Sequence, residues 1–489
     1  MAAIDFRSIR SMLAELPSDH DASGEHRPTV DEIFAPEQHA NALDPNTPVV
    51  VGARGTGKSF WAGVLEQDET RAVAALAYPN LGLDRLIVRA GYTGLAAADN
   101  VVTVKTIDAR VPIGTERETA SDFWLAVIMR AAKSACYPDE EMPPIRSLMA
   151  EYSDPEDWAQ EIRRLDSRLT ASSKVLLVTF DALDTLSRDW KRSSLLIDAL
   201  FEVIWSLRAR KAIRAKIFIR PEQLNDETLR FVELPKLRSS RVELEWTQVE
   251  LYGLLFWRLA SFKDARERSF SALSIQVNAK IPSDLARNRY RWPLISEPAV
   301  QKAAMTLLAG PYMGGNKTKG GTYDWPYNHL ADAQGKVTPR SFIKLFVEAA
   351  KFGSAPSEQA ITAEGIRNGL REASKVRVDQ LVVEYQWVKR ALAPLAKLTV
   401  PCAPEAIFER WAESNTVKVI MNAANDPDAG FLPPFPPRSK GDHMELLAAA
   451  MEKIGLISYR ADNRIDIPDL FRVAALMLKK GGPTPVKRR

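Results

Sequence analysis

A run of three valines, Val49 to Val51, passes without a gap into Gly52-Ala53-Arg54-Gly55-Thr56-Gly57-Lys58-Ser59, and Phe60, Trp61, Val64 and Leu65 then follow at helical spacing. A β-branched run reads as a buried strand, and the apolar residues after Ser59 read as one face of a helix. Between them the segment fits G-x-x-x-x-G-K-[ST]. Glycines let such a turn curl until its N–H groups converge, and the new helix points its positive end at the same place. The turn therefore suits the phosphates of a nucleotide. In this reading Gly52 to Phe60 form the cradle, Lys58 supplies a point charge for the β- and γ-phosphates, and Ser59 gives a hydroxyl to Mg²⁺. The cofactors expected are ATP and Mg²⁺.

A metal held on one side by Ser59 needs an acid opposite, at the end of a buried strand. Lys174-Val-Leu-Leu-Val-Thr-Phe180 is such a strand and Asp181 follows it directly. Asp181 is the expected second metal residue. The next position, where many ATPases place a water-activating glutamate, is Ala182. Asp184 is the nearest substitute, and its other reading is a cap for the helix that follows. Nucleotide binding is therefore better supported than fast hydrolysis.

Strands are expected at about 48–51, 101–107, 174–180, 216–219 and 241–246, with amphipathic helices such as 121–135 and 193–207 between them. Alternating strands and helices imply a parallel sheet covered on both faces, with ligand at the carboxyl ends of the strands. Arg220, directly after the fourth strand, then stands where it can sense a γ-phosphate; its plainer reading is a residue fixing the turn before Pro221. Arg238 and Arg241 precede the fifth strand and are candidates to reach a neighbouring subunit's phosphate. After Thr247 the pattern turns helical. Thr338-Pro339-Arg340 opens a helix with an N-cap and Pro at its first position, which puts Arg340 on the first turn of a lid helix, facing a γ-phosphate or solvent. The stretch from Tyr312 to His329 reads as a loop for the base or another subunit, or as an ordered connector, with His329 a packing or capping histidine rather than a ligand.

The resulting expectation is an α/β protein: a parallel-sheet P-loop NTPase core at 28–246 after an N-terminal extension at 1–27. A helical lid at 247–352 and a helical linker at 353–398, broken near Arg371 to Arg377, follow. A winged-helix-like domain at 399–480 is read from a helix near 445–453, a hairpin through Ala461 to Asn463 and a last helix from Pro468 to Leu478. A basic tail at 481–489 ends the chain.

Composition narrows the partners. With 66 Lys+Arg against 62 Asp+Glu, the formal charge of +4 does not indicate nucleic acid on bulk charge. The 2 cysteines, Cys136 and Cys402, lie far apart and form neither a disulfide framework nor a zinc site. No stretch is apolar for the roughly 20 residues that crossing a bilayer requires. A cytoplasmic protein without membrane contact is expected.

Several signatures stand in order: Gly52 to Trp61, Phe180-Asp-Ala-Leu-Asp184, Ile217-Phe-Ile-Arg220, Gly314-Gly to Trp325, His329 to Phe342, and Ile467-Pro-Asp-Leu-Phe-Arg472. Together they resemble a group of bacterial P-loop ATPases related to STAND and AAA+ proteins, found in antiphage-defence and mobile-element loci. The resemblance spans about positions 28–483. It implies an ATP-driven switch or assembly subunit, a homo-oligomer, working beside an effector encoded nearby. The alternatives are a DNA-acting AAA+ loader or remodeller that uses the winged helix on DNA, and a nucleotide-gated scaffold with little turnover.

Overall fold

The computed structural model describes residues 4–18, 27–95, 101–187, 189–226, 229–283, 292–426, 430–436 and 439–485. The chain divides into two compact units: Asp21–Leu244, and Met1–His20 together with Glu245–Arg489.

The first unit is built on five parallel strands: β1 (Val49–Val51), β2 (Leu86–Tyr92), β3 (Val175–Phe180), β4 (Ile213–Ile219) and β5 (Val242–Glu243). They lie in the order β2-β3-β4-β1-β5, so β4 separates the strand that feeds the glycine-rich turn from the strand that ends at Asp181. Alternate residues supply two cores. Val49, Val51, Leu176, Val178, Ile217 and Ile219 face the cluster that holds Phe123, Trp124 and Leu200. Val50, Leu177 and Phe218 face the one that holds Trp61, Val64 and Leu65. A sheet buried on both faces favours near-continuous apolar runs, as in Val49–Val51 and 175–178.

Helices Glu116–Cys136 and Trp190–Leu207 cover one face, while Lys58–Glu66 and Asp68–Ala77 cover the other. Asp189, not Asp184, caps Trp190–Leu207 by accepting from the Lys191 amide at 2.9 Å. The α/β parallel-sheet core matches expectation, with one strand displaced. Residues 101–107 are not a strand: Thr103 caps a helix over Val104–Arg110, and only Val102 makes an isolated bridge to Tyr92. The cap satisfies an amide that a strand would leave to a neighbour, and it overrides the β-propensity of the two valines before it. The missing strand is Leu86–Tyr92, where Arg89 and Gly91 dilute the apolar run.

The second unit is helical. Helix Phe6–Glu15 belongs to it, its Arg10 guanidinium donating to the carbonyls of Ala360 (3.1 Å), Phe352 (2.8 Å) and Gly353 (2.9 Å). Tyr252 anchors the core of this unit, stacked on Tyr323 at 4.4 Å and edge-on to Phe342 at 4.9 Å. Thr338 caps helix Pro339–Lys351 as its sequence indicates. The expected break at Arg371 to Arg377 is absent, because helix Ala363–Glu384 runs straight through it. Its charged residues pair along the surface, Arg371 with Glu364 at 3.1 Å and Lys375 with Glu372 at 2.7 Å, which supports a helix rather than interrupting it.

Helix His443–Lys453, a hairpin of β6 (Ser458–Tyr459) and β7 (Ile465–Asp466), and helix Asp469–Arg472 follow in the order of a winged-helix-like module. The last helix stops at Arg472 instead of reaching Leu478. Arg472 is fully buried and donates to the Met477 carbonyl at 2.9 Å, drawing the chain back, and Leu478 then pairs with Leu398 and Val400.

Candidate functional site

The glycine-rich turn leaves β1 beside β4, where the Gly52 amide donates to the Ile219 carbonyl at 3.1 Å. A side chain at Gly52 would collide with Thr56 Oγ1, and Gly57 sits at φ +105°, a left-handed conformation that disfavours any other residue. Thr56 Oγ1 donates to the Ala53 carbonyl at 2.8 Å and closes the turn. Lys58 opens helix Lys58–Glu66 and folds its Nζ back onto the carbonyls of Gly52 (2.6 Å) and Ala53 (3.1 Å). Its ammonium therefore lies inside the turn. Phe60 packs edge-on to buried Trp61 at 5.4 Å, and Trp61 donates to His39 Nδ1 at 3.1 Å, which ties the cradle to the core.

Asp181 lies at the end of β3, buried, with its carboxyl hydrogen-bonded to the Ser59 hydroxyl and in the field of Lys58. Burial pushes this carboxyl above the usual range, against the opposing pull of Ser59 and Lys58. A hydroxyl and an amine from the start of helix Lys58–Glu66, meeting a buried carboxyl at the end of β3, are a fitting donor set for Mg²⁺ and phosphate. The structure thus brings Lys58, Ser59 and Asp181 together.

The turn after β3 is held from both sides. Ala182 adopts φ +53°, Asp184 Oδ2 is 2.6 Å from Arg220 Nη2, and Thr185 Oγ1 is 2.8 Å from Tyr92 Oη. Arg220, at the end of β4, is itself buried. The ends of β2, β3 and β4 are linked in this way around one short turn.

The remaining arginines divide. Arg238 donates through Nε and Nη2 to the Leu224 carbonyl (2.9 and 2.6 Å), an intramolecular lock. Arg241 pairs with Glu243 at 3.1 Å. Arg54 and Arg340 are half-buried, Arg54 in the turn and Arg340 on the first turn of helix Pro339–Lys351 in the helical unit. In that unit the stretch from Tyr312 to His329 is an ordered connector: the Met313 amide donates to Gly320 at 2.9 Å, and Tyr323 Oη donates to Gln301 Oε1 at 2.7 Å. His329 stacks on Trp325 at 4.0 Å, with Nδ1 2.5 Å from Asp469 Oδ2, so it is a packing histidine.

One residue escaped the sequence reading. Glu66, two turns beyond Ser59 on the same helix, accepts from Thr179 Oγ1 at 2.8 Å. Burial, with a further push from Asp181, raises its carboxyl to about 7 although Thr179 opposes the shift. Ser59, Glu66 and Asp181 share a cavity of about 1020 Å³ that runs beside β2. The signal available was the seven-residue spacing of Ser59 and Glu66, which puts both on one helical face. Among the described residues no group of His, Cys, Asp or Glu forms a metal cluster, and no helix is long and apolar enough to cross a membrane. Both cysteines are free.

No protein-family model matches the chain, and no curated protein matches it. Solved structures similar to it include the Orc1 protein of Aeropyrum pernix in complex with DNA, at 13% identity and a TM-score of 0.33, covering 94% of this chain and 93% of that one. Another is the Orc2 protein of the same organism in ADPNP–ADP complexes, at 12% identity and a TM-score of 0.33, with 93% and 94% covered. A third is Cdc6p of Pyrobaculum aerophilum, at 12% identity and a TM-score of 0.29, with 92% and 93% covered. Likenesses this loose assign the chain to no family.

Proposed function

We propose that this chain is an ATPase that binds Mg·ATP on the turn Gly52 to Phe60 and hydrolyses it slowly. The observation that carries the reading is the meeting of Lys58 and Asp181 around Ser59, because phosphate and metal require opposite charges at adjacent positions. The turn amides and Lys58 would orient the phosphates, and Ser59 and Asp181 would hold the metal. The metal, when bound, stabilises charge on the phosphate oxygens. Arg220 faces the phosphate end of the sheet and adds positive charge where the transferred group develops negative charge. Arg340, on the first turn of its helix, remains the lid candidate for the γ-phosphate on the ground of its sequence position alone.

Slow turnover follows from Ala182 in the place of a base and from Asp184, which is engaged by Arg220. In this reading ATP acts as a switch for oligomerisation and for a separately encoded effector in bacterial antiphage defence. The same Asp184–Arg220 pair favours one second reading, a nucleotide-gated scaffold with little turnover. Phosphate release from the purified protein, set against Lys58→Ala and Asp181→Ala, tests both. Release above the two variants supports the ATPase, whereas release equal to theirs leaves only the scaffold.

A further inference from the structure

The opposite end of the same sheet carries a second concentration of positive charge. From 208 to 216 the chain reads Arg208-Ala-Arg210-Lys211-Ala-Ile-Arg214-Ala-Lys216, with five cations and no acid in nine residues. The segment leads into β4 at its amino-terminal end, whereas Arg220 stands after the carboxyl end. Seven residues of strand separate the two by roughly 20 Å. Charge here is local, and a whole-chain balance of +4 conceals it.

A pocket of about 220 Å³ opens at this end, and its polar lining is Asp44, Asn46, Asn80, Arg85, Lys211 and Arg214. Asp44, the single acid of that lining, turns its carboxylate onto the Asn46 amide (2.8 Å) and side chain (3.0 Å). Asp166, close by, is taken up by the amides of Lys211 (3.0 Å) and Ala212 (2.7 Å). Arg214 is fixed by Asn46 Oδ1 (3.3 Å) and the Ile213 carbonyl (3.1 Å). Arg85 lies over Gly82. Among the described residues neither the Arg85 guanidinium nor Lys211 Nζ has a hydrogen-bond or ion-pair partner. Beneath the pocket, fully buried Lys216 holds the wall in place, donating to the carbonyls of Asp44 (2.9 Å) and Thr47 (2.6 Å).

Three cations against one occupied carboxylate, on a preformed wall with amide donors, make an anion site. We propose that this pocket binds a phosphate group, separately from the nucleotide turn. Its geometry suits a planar guanidinium fork from Arg85, a point charge from Lys211 and side-chain amides from Asn46 and Asn80, the set that recognises a phosphate dianion or diester. The phosphate belongs either to a small free molecule or to a nucleic-acid backbone.

The test uses full-length protein carrying Lys58→Ala, which silences the nucleotide turn, with and without the added pair Arg85→Glu and Lys211→Glu. Both added positions are exposed, so folding is expected to hold, and a thermal melt checks it. If charge reversal does unfold the protein, Arg85→Gln with Lys211→Gln replaces it. Pyrophosphate binding is read by calorimetry, and binding of a 30-base-pair duplex by fluorescence anisotropy across a salt series. The expected result is binding of at least one probe, weakened about tenfold or more by the pair. For DNA, a salt slope shallower by about two units is also expected. Pyrophosphate alone identifies a small ligand, and salt-dependent DNA binding identifies a backbone. Binding of neither probe, or binding that the pair leaves unchanged, overturns the proposal. In the Lys58-intact background the pair is expected to leave ATP turnover unchanged, so this site and the nucleotide reading fail independently.

Discussion

Arg220 Nη2 lies 2.6 Å from Asp184 Oδ2, joining the end of β4 to the turn that follows β3. Neither partner is on the P-loop, yet both stand at the end of the sheet where Asp181 meets Ser59. The arginine side chain is 10% exposed and the aspartate 34%, so the pair is partly screened. Removing one partner of a shielded pair is costly because the other is left uncompensated. Arg220→Ala is expected to lose about 1–3 kcal/mol of stability. Adding Asp184→Ala is expected to cost much less than it does alone. A double-mutant cycle in urea checks this, and strict additivity would show that the contact carries no coupling. If Arg220 also serves the phosphates, turnover falls further than stability predicts.

Lys58→Ala tests the cradle itself. Losing a charge-assisted donor to phosphate is expected to weaken nucleotide binding by about 1.5–3 kcal/mol, some 10- to 100-fold. The melting temperature should change little, since the two carbonyls to which Lys58 Nζ donates belong to its own short turn. Calorimetry with ATP and magnesium reads the first quantity and circular dichroism the second.

Glu66 gives the protein a pH signature. Its folded carboxyl, raised to about 7 from 4.5, favours the neutral form. The fold is therefore most stable with respect to this group below pH 4.5, and it loses that advantage as pH rises toward 7. At full burial a shift of this size corresponds to about 3 kcal/mol, and solvent reaching the side chain reduces it to about 1–2 kcal/mol. Glu66→Gln is expected to be more stable than wild type by that amount at pH 8 and equal to it near pH 4.5. Denaturant melts at the two values, without nucleotide or metal, measure the difference.

The sequence made the site legible where chemistry constrains residue type. Only glycines fit the turn at Gly52 and Gly57, and Asp181 directly follows an apolar run, so each signal is local even though Ser59 and Asp181 lie far apart in the chain. The Arg220–Asp184 pair was not legible, because 36 residues separate its partners and only the β3–β4 pairing unites them. Thr103 shows the opposite failure. A single hydroxyl turned two valines and their neighbours from a strand into the approach to a helix, and the edge strand went to Leu86–Tyr92. At the C-terminus, the apolar run after Pro468 reads as one helix until Arg472 is seen reaching the Met477 carbonyl.

The helical unit carries its own titratable latch. Asp469 accepts from His329 and from Arg472 Nε at 2.7 Å, tying helix Asp324–Leu330 to the winged-helix-like module. Burial acts to raise the Asp469 carboxyl, but His329 and Arg472 outweigh it and hold the carboxyl below its ordinary value. A depressed carboxyl stabilises the fold above its unfolded value and loses that contribution as pH falls through the folded one. Asp469→Asn should therefore destabilise this unit near neutral pH, by about 1–3 kcal/mol for a buried charged hydrogen bond. The deficit should shrink in acid, where the wild-type carboxyl is itself protonated. Limited proteolysis at pH 7 is expected to cut the variant faster than wild type between 399 and 480, while the first unit stays resistant. Equal cleavage rates would mean that Trp325 stacking and the apolar core hold the module without the latch.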